Sequence, residues 1–471
     1  MSIMISSLDS KVMDANSEAL GTSVLTLMDN AGKAVADLLR ERFHGQRFII
    51  FCGHGNNGGD GFATAIHLAE EDVSVCIIGD PSKVRPGAAS TYLSELGCPV
   101  VQFDPNNRDY DVLVDAVLGT GTKGKLRPEI EAYIDYTRKF QGPIVSIDVP
   151  TGIGSPKSVI PDITITMHDV KEGMDEKNSG EIVVADIGIP EKAYTHTGPG
   201  DLYRYPIPTK DSHKGANGSL LVIGGGPYYG APAMAAMAAM RTGVDLVTIA
   251  TPESSYHEVA AQSPVLMVRK LRGSTLCHDH VKELLKMSEV CDAVLIGPGL
   301  GRDEHTFEAV KEFVSLCRKP LVIDADGLNA LGTDFNAKGP QTVLTPHSGE
   351  YLRIGGSSKD PEDVRKTSSR LGCTIVLKGR YDIISNGDSV KINGTGTPGM
   401  TTGGTGDVLA GIIGGLLAKG MDAYEAGYLG AYISGKAGEL AFNKFSYGMI
   451  ATDVIDRIPK ALKNGFDRLG L

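Results

Sequence analysis

The stretch FIIFCGHGNNGGDGFATAIHLAEEDVSVCII, residues 48–78, decides the fold. Residues 48–52 are apolar without a break, as in a strand covered on both faces. A glycine-rich turn follows over 53–61, then a helical stretch over 61–71, then a second apolar run over 73–78. Strand, turn, helix and strand make one βαβ unit. Repeated, that unit builds an open parallel sheet with helices on both faces.

The alternation continues outward. Further strands are expected at 112–118, 144–149 and 181–187, with a helix over 129–139. It pauses in TGPGDLYRYPIPTKDS, residues 197–212, where three prolines and two glycines interrupt any period. A domain boundary is expected there, near residue 205. A second alternation then begins, with strands at 219–223, 246–251, 293–297, 320–324, 342–345 and 374–377. Two long helical patterns, 404–419 and 423–442, close the chain, and there is no internal repeat. A chain of 471 residues suits two domains. The expected fold is therefore two three-layer α/β/α domains, residues 1–204 with a Rossmann-like sheet and residues 205–471 with a second sheet.

Composition narrows the function. A formal charge of −11 opposes binding to nucleic acid, whose affinity comes mostly from phosphate contacts. Seven cysteines, an odd number with no CxxC, argue against a disulfide framework and for a reducing cytoplasm. No stretch is long and apolar enough to span a bilayer, and the first residues lack the basic and apolar regions of a signal peptide.

In the first half, Gly53, Gly55 and Gly58 formally satisfy G-x-G-x-x-G, and Asp80 stands where a ribose-binding acid would be. A dehydrogenase is one reading. The filling of the turn speaks against it. Asn56, Asn57 and Asp60 place two amides and a carboxylate where a pyrophosphate would lie, and suit a polar ligand or a cation better. VDAVLGTGTKGK, residues 114–125, has the P-loop spacing at Gly119, Gly124 and Lys125. Leu126 then replaces the Ser or Thr that would hold magnesium, so an NTPase is rejected. Asp115 lies inside that apolar run and needs a partner or a cation. SIDVPTG, residues 146–152, puts Asp148 at another strand end. Ligands of open α/β sheets bind at such ends.

With LMDNAG at 27–32 and VVADIGIP at 183–190, these motifs resemble the NAD(P)H-hydrate epimerase family. The resemblance implies substrate contacts from Asn56, Asn57, Gly58, Gly59 and Asp60, and from Gly119, Thr120, Gly121, Thr122, Lys123, Gly124 and Lys125. It implies a potassium ion held by Asn57, Asp115 and Thr151, and Asp148 as the catalytic group. Ile66 and His67 stand where that family often carries Arg, which removes the expectation of one phosphate contact but not of the fold. The substrate carries a hydroxyl at C6 of the nicotinamide ring. A carboxylate that moves its proton would contribute roughly 10²–10⁴-fold.

In the second half, TPGMTTGGTGDVLAGIIGG, residues 397–415, leads from glycines into an apolar helix. Its first N–H groups form an anion site, and Asp407 in the first turn is placed to accept a proton from a hydroxyl. Four other strand ends carry polar groups. They are IVLKGRYD at 375–382, VLTPHSGE at 343–350, LIGPGLGRDE at 295–304 and VIDADGLNAL at 322–331. HKGANGSLLVIGGGPYYGAP at 213–232 opens the domain. Together they resemble the ribokinase-like superfamily, closely its ADP-dependent NAD(P)H-hydrate dehydratase branch. The resemblance implies a ribokinase-like sheet. It also implies hydrate contacts from Ala231, Gly299, Gly301, His347 and the catalytic base Asp407. ADP, with magnesium, would be bound by Lys378, Gly379, Arg380, Tyr381, Asp382 and Gly406. ADP would phosphorylate the C6 hydroxyl, and loss of phosphate would restore the double bond.

The implied protein is a bifunctional enzyme that epimerises and dehydrates NADHX and NADPHX. A small-molecule kinase for a vitamin precursor shares the glycine–Asp signature but leaves the first half unexplained. A first half that only binds a ligand is the third reading. A cytoplasmic homo-oligomer is expected, as is common for sheet enzymes of this type.

Overall fold

A computed structural model describes residues 4–121, 124–337 and 341–471. The chain divides into two compact units, Met1–Ala193 and Tyr194–Leu471. The division falls before the proline-rich stretch rather than inside it. The short helix Pro199–Arg204 packs against Ala423–Phe445 and Ala451–Leu469, so that stretch belongs to the second unit.

In the first unit, seven strands form a wholly parallel sheet in the order β3-β2-β1-β4-β5-β6-β7. They are β1 (Arg47–Cys52), β2 (Asp72–Ile77), β3 (Val100–Val101), β4 (Val112–Ala116), β5 (Ile144–Ile147), β6 (Ile163–Met167) and β7 (Glu181–Ala185). The continuous apolar run in β1 serves both faces. Phe48, Ile50 and Cys52 enter the cluster with Val35, Leu39 and Phe62, while Ile49 and Phe51 enter the one with Tyr133 and Ile134. Three helices cover the region near the site: α1 (Ser7–Ala19), α2 (Val24–Phe43) and α3 (Asn56–His67). Strand β6 is absent from the expected set because its sequence, ITITM, alternates threonine with apolar residues, although all five are buried.

The expected turn over 53–61 is corrected. Helix α3 begins at Asn56, so NNGGDG forms its first turns. The glycines allow a close approach: a Cβ on Gly58 would lie 2.0 Å from Gly53 O, and one on Gly61 would lie 2.7 Å from Cys52 Sγ.

The second sheet runs β10-β9-β8-β11-β12-β13-β14-β15-β16. Its strands are β8 (Ser219–Ile223), β9 (Leu246–Pro252), β10 (Met267–Leu271), β11 (Ala293–Ile296), β12 (Leu321–Ile323), β13 (Thr342–Leu344), β14 (Thr374–Leu377), β15 (Asp382–Ser385) and β16 (Val390–Asn393). All pairings are parallel except those of the terminal β14-β15-β16 meander. The helix Thr405–Ala418 is buried beyond its first turn and packs on Gly230–Arg241. A Cβ on Gly411 would meet Ala235 O at 2.1 Å, so glycine sets that contact. Beyond the two closing helices expected from sequence there is a third, Ala451–Leu469, which carries Pro459 inside it.

Both sheets reverse direction of growth beside their first strand, between β1 and β4 in one and between β8 and β11 in the other. The loops leaving those strands diverge and open a crevice, which is where ligands bind in such sheets.

Candidate active sites

At the first switch point lies a cavity of about 430 Å³. It is lined by the expected residues Asn56, Asn57, Asp60, Gly119, Thr120, Gly121 and Asp148. Gly58 and Gly59 do not line it. Gly58 faces Gly53, and a Cβ on Gly59 would lie 2.6 Å from Met28 Cε, so both serve the packing of α3. Gly124 and Lys125 are exposed outside the cavity, and Thr122 and Lys123 lie outside the described residues. Asp80 accepts a hydrogen bond from Ser82 N, 3.0 Å away, and caps a local turn instead of facing the cavity.

Asp148 follows β5 with φ 64°, a conformation that strains a side-chain-bearing residue. Its carboxylate meets Lys171, with Nζ 2.8 Å from Oδ1. Lys171 is buried. Its ammonium also donates to Met167 O at 2.7 Å and to Thr166 Oγ1 and Asp169 O at 3.0 Å. The N-terminal segment pairs with this strand end through a bridge between Ile5 and Lys171, which brings α1 to the cavity. From α1 comes Asp14. Burial, reinforced by the Asp148 charge and partly offset by Lys171, pushes its carboxyl up to about 6. Burial and the same two acids, Asp148 and Asp14, push Asp60 well above the usual carboxylate range. Sequence reading missed both Asp14 and Lys171. A lone acid on a helix and a lone lysine after a strand carry no spacing signature.

Asp115 is fully buried and paired, as its apolar surroundings require. It accepts from Tyr133 Oη at 3.0 Å, Ser146 Oγ at 2.9 Å, Thr151 N at 2.9 Å and Thr151 Oγ1 at 2.7 Å. Leu118 joins the neighbouring groups, since its N–H donates to Thr151 Oγ1 at 2.9 Å and its carbonyl accepts from Asn57 Nδ2 at 3.0 Å. The other side-chain atom of Asn57, Oδ1, is buried with no donor. A buried amide oxygen with no donor suits a cation.

In the second unit, a cavity of about 550 Å³ joins Ala231, Gly299 and Asp407 with Tyr228, Tyr229, Ala325 and Asp326. Gly301 is tied to this wall because its N–H donates to Asp326 Oδ2 at 2.9 Å. Ala325, with φ 49°, marks the turn between Asp324 and Asp326. Asp407 stands in the first turn of Thr405–Ala418, after Gly404 with φ 94°. Burial, then the charge of Asp324, raise its carboxyl to about 7, while Lys378 opposes the shift.

Lys378 lies with Nζ 2.9 Å from Asp324 Oδ1, which also accepts from Thr345 Oγ1 at 2.8 Å. Burial disfavours the ammonium, but Asp324 and Glu350 outweigh that and raise its pKa. A Cβ on Gly406 would lie 3.3 Å from Lys378 Nζ, so these two expected ADP residues adjoin. Asp382 closes the turn that holds the others: Gly379 N donates to its Oδ1 and Asn393 Nδ2 to its Oδ2, each at 3.0 Å. Arg380 and Tyr381 are exposed, with the guanidinium 5.0 Å from the ring centroid. His347 is not among the residues that line the Asp407 cavity. Its Nδ1 accepts from Gly349 N at 2.9 Å and caps Ser348–Arg353, while Nε2 lies 3.5 Å from Glu350 Oε1.

The profile of the family described as NAD(P)H-hydrate dehydratase matches residues 220–460, and that of the YjeF-related protein N-terminus matches residues 24–173. Two relatives named bifunctional NAD(P)H-hydrate repair enzyme Nnr are each 38% identical to the chain. The one from Methanothermobacter thermautotrophicus aligns over 97% of this chain and 95% of its own length. The one from Archaeoglobus fulgidus aligns over 97% and 98%. Among solved structures, the ADP/ATP-dependent NAD(P)H-hydrate dehydratase of Bacillus subtilis, crystallised with ATP and Mg²⁺, is 29% identical. It covers 57% of this chain and 97% of its own, with a TM-score of 0.51. A ribokinase-like superfamily protein of Enterococcus faecalis is 28% identical, covers 57% and 95%, and has a TM-score of 0.52.

Proposed function

The chain belongs to the family of bifunctional NAD(P)H-hydrate repair enzymes, and on that premise we propose how its two units divide the work. The first interconverts the R and S epimers of NADHX and NADPHX, and the second dehydrates the S epimer to NADH or NADPH with ADP. One observation carries this reading: each unit presents the carboxylate expected from sequence in its own cavity, Asp148 in one and Asp407 in the other.

In the second unit, Asp407 takes the proton of the C6 hydroxyl as that oxygen attacks the β-phosphorus of ADP. The bond from phosphorus to the bridging oxygen breaks and AMP leaves. The C6–O bond of the phosphate ester then breaks and the ring loses a proton from C5, which restores the double bond and frees phosphate. Phosphorylation turns a poor leaving group into a good one, the reason a kinase fold serves a dehydration. The N–H groups at the start of Thr405–Ala418 and the Lys378 ammonium face developing phosphoryl charge. Arg380 and Tyr381 offer a cation and a ring face to the nucleotide. Magnesium would be held mainly by the nucleotide's own phosphates.

In the first unit, Asn57 Oδ1, Asp115 and Thr151 would hold potassium, which supplies fixed positive charge beside the substrate's polar groups. Asp148 holds or accepts the proton exchanged at the C6 oxygen, and Lys171 positions it. The protein works as a cytoplasmic homo-oligomer in this reading.

The test mixes purified protein with both NADHX epimers, potassium, magnesium and ADP, and follows NADH absorbance with AMP and phosphate. Full recovery of both epimers supports both activities. Recovery of one epimer leaves only the dehydratase. Stable transfer of phosphate to another small alcohol, without any recovery, would install the kinase reading instead.

A further inference from the structure

The first unit's cavity holds more ionisable groups than the scheme above uses. Asp14, Asp60, Asp148 and Lys171 all face it. Only Asp148 among the acids has the ammonium at contact distance, 2.8 Å. Asp14 lies on α1, in a different element from Asp148 after β5, and among the described residues its carboxyl makes no hydrogen bond or ion pair. An acid that supports neither a helix cap nor a salt bridge has no structural duty there. A half-buried carboxyl with open valences toward a ligand cavity is placed to exchange a proton with the ligand.

We propose that Asp14 is the second proton carrier of the epimerase site and forms an acid–base pair with Asp148 around C6 of the hydrated ring. This rests on the epimerase reading. In one direction the protonated Asp14 gives its proton to the C6 hydroxyl. The C6–O bond breaks, water leaves with the bonding electrons, and the lone pair of ring nitrogen N1 forms the N1=C6 bond. Water then adds to C6 from the other face and returns that electron pair to N1. Its surplus proton goes to Asp148. The ring is again the neutral hydrate with C6 inverted, and one proton has moved from Asp14 to Asp148. The protein now has Asp148 protonated and Asp14 ionised, the form required for the opposite epimer. Each turnover therefore prepares the reverse one, as microscopic reversibility requires, and no oxidant or further reactant enters.

The charged surroundings assign the roles. Asp14 faces Asp148 and Lys171, and its carboxyl is raised to about 6, so it both holds and releases a proton near neutrality. Asp60, on α3, faces the same cavity, and burial with the charges of Asp148 and Asp14 raises its carboxyl too. In its protonated form it can donate a hydrogen bond to the ligand, a use known for buried carboxyls in other sites. Lys171 is a positioning residue that compensates the Asp148 charge.

The experiment uses full-length protein, wild type and the variants Asp14→Asn and Asp14→Glu, with purified R-NADHX and potassium and without ADP. Conversion to the S epimer is followed by chromatography from about pH 5 to about pH 9 above the uncatalysed rate. With S-NADHX, ADP and magnesium, the same preparations report the second site. Asp14→Asn is expected to lower kcat for interconversion by roughly 10²–10⁴-fold with little change in KM. It should also remove the limb that falls above about pH 6 in this direction. Dehydration of the S epimer should be unchanged, and Asp14→Glu should recover part of the rate with a displaced limb. An Asp14→Asn protein with wild-type kcat and pH profile would overturn the proposal. If Asp14→Asn does not fold, the profile of Asp14→Glu decides: a displaced limb supports the pair and an unmoved one overturns it. A wild-type protein that dehydrates the S epimer yet never interconverts the two would sink the epimerase reading itself, a result distinguishable from the others.

Discussion

Lys378 Nζ sits 2.9 Å from Asp324 Oδ1, and this single ammonium serves a cluster of three acids, Asp324, Glu350 and Asp407. The charge pattern makes the second site depend on one residue. Lys378→Met leaves Asp324, which is 1% exposed, without its cation. Removing one partner of such a pair costs about 3–5 kcal/mol. Denaturant unfolding should show that loss, and the double variant Lys378→Met, Asp324→Leu should recover much of it. Equal stabilities for the single and double variants would contradict the pairing.

Asp407 predicts a pH dependence. As a base it must be ionised, and its carboxyl is raised to about 7, so dehydration should climb with pH through about 7 and then level off. The same shift sets the sign for stability. A raised folded pKa means the fold prefers the protonated acid, so the contribution is present below the unfolded value of 3.8 and is lost as pH rises through about 7. Asp407→Asn, which mimics the neutral acid, should therefore abolish dehydration yet raise the melting midpoint at alkaline pH and leave it unchanged in acid. A variant that melts lower at alkaline pH would reverse the argument.

Asn57 Oδ1, buried and without a donor, predicts a response to potassium that needs no turnover. Potassium chloride should raise the melting midpoint of the first unit more than choline chloride at equal ionic strength. Asn57→Ala should erase the difference. An identical response from the variant would remove Asn57 from the ion's shell.

Asp148 and Asp407 belong to different compact units, so their losses should separate. Asp148→Asn should stop epimer interconversion and spare dehydration of the S epimer, and Asp407→Asn should do the opposite. Chromatographic separation of the epimers reads both at once. Loss of both activities in either folded variant would show that the sites are not independent.

Much of the architecture was legible along the chain, because parallel strands covered on both faces must be continuously apolar and the connecting helices amphipathic. The same logic exposed Asp148 and Asp407, since polar residues at the carboxyl ends of such strands or in a first helical turn have few structural reasons to be there. Other elements were opaque for stated causes. ITITM in β6 reads as half polar because its threonines satisfy themselves internally, Thr164 Oγ1 donating to Ser179 O at 2.6 Å. The glycines of NNGGDG look like a loop until Gly53, Met28 and Cys52 are seen pressed against them.

The amino-acid sequence by itself determined the parallel parts of two sheets, the strand ends that bear chemistry and the family to which they point. Tertiary structure alone decided which charges meet. Asp14 and Lys171 lie far apart in the chain, and the Ile5–Lys171 bridge brings their elements to one cavity. Lys378 and Asp324 are joined only because β12, β13 and β14 lie side by side. A proton's affinity for a carboxyl depends on burial and on charges a few ångströms away, and neither is a property of local sequence.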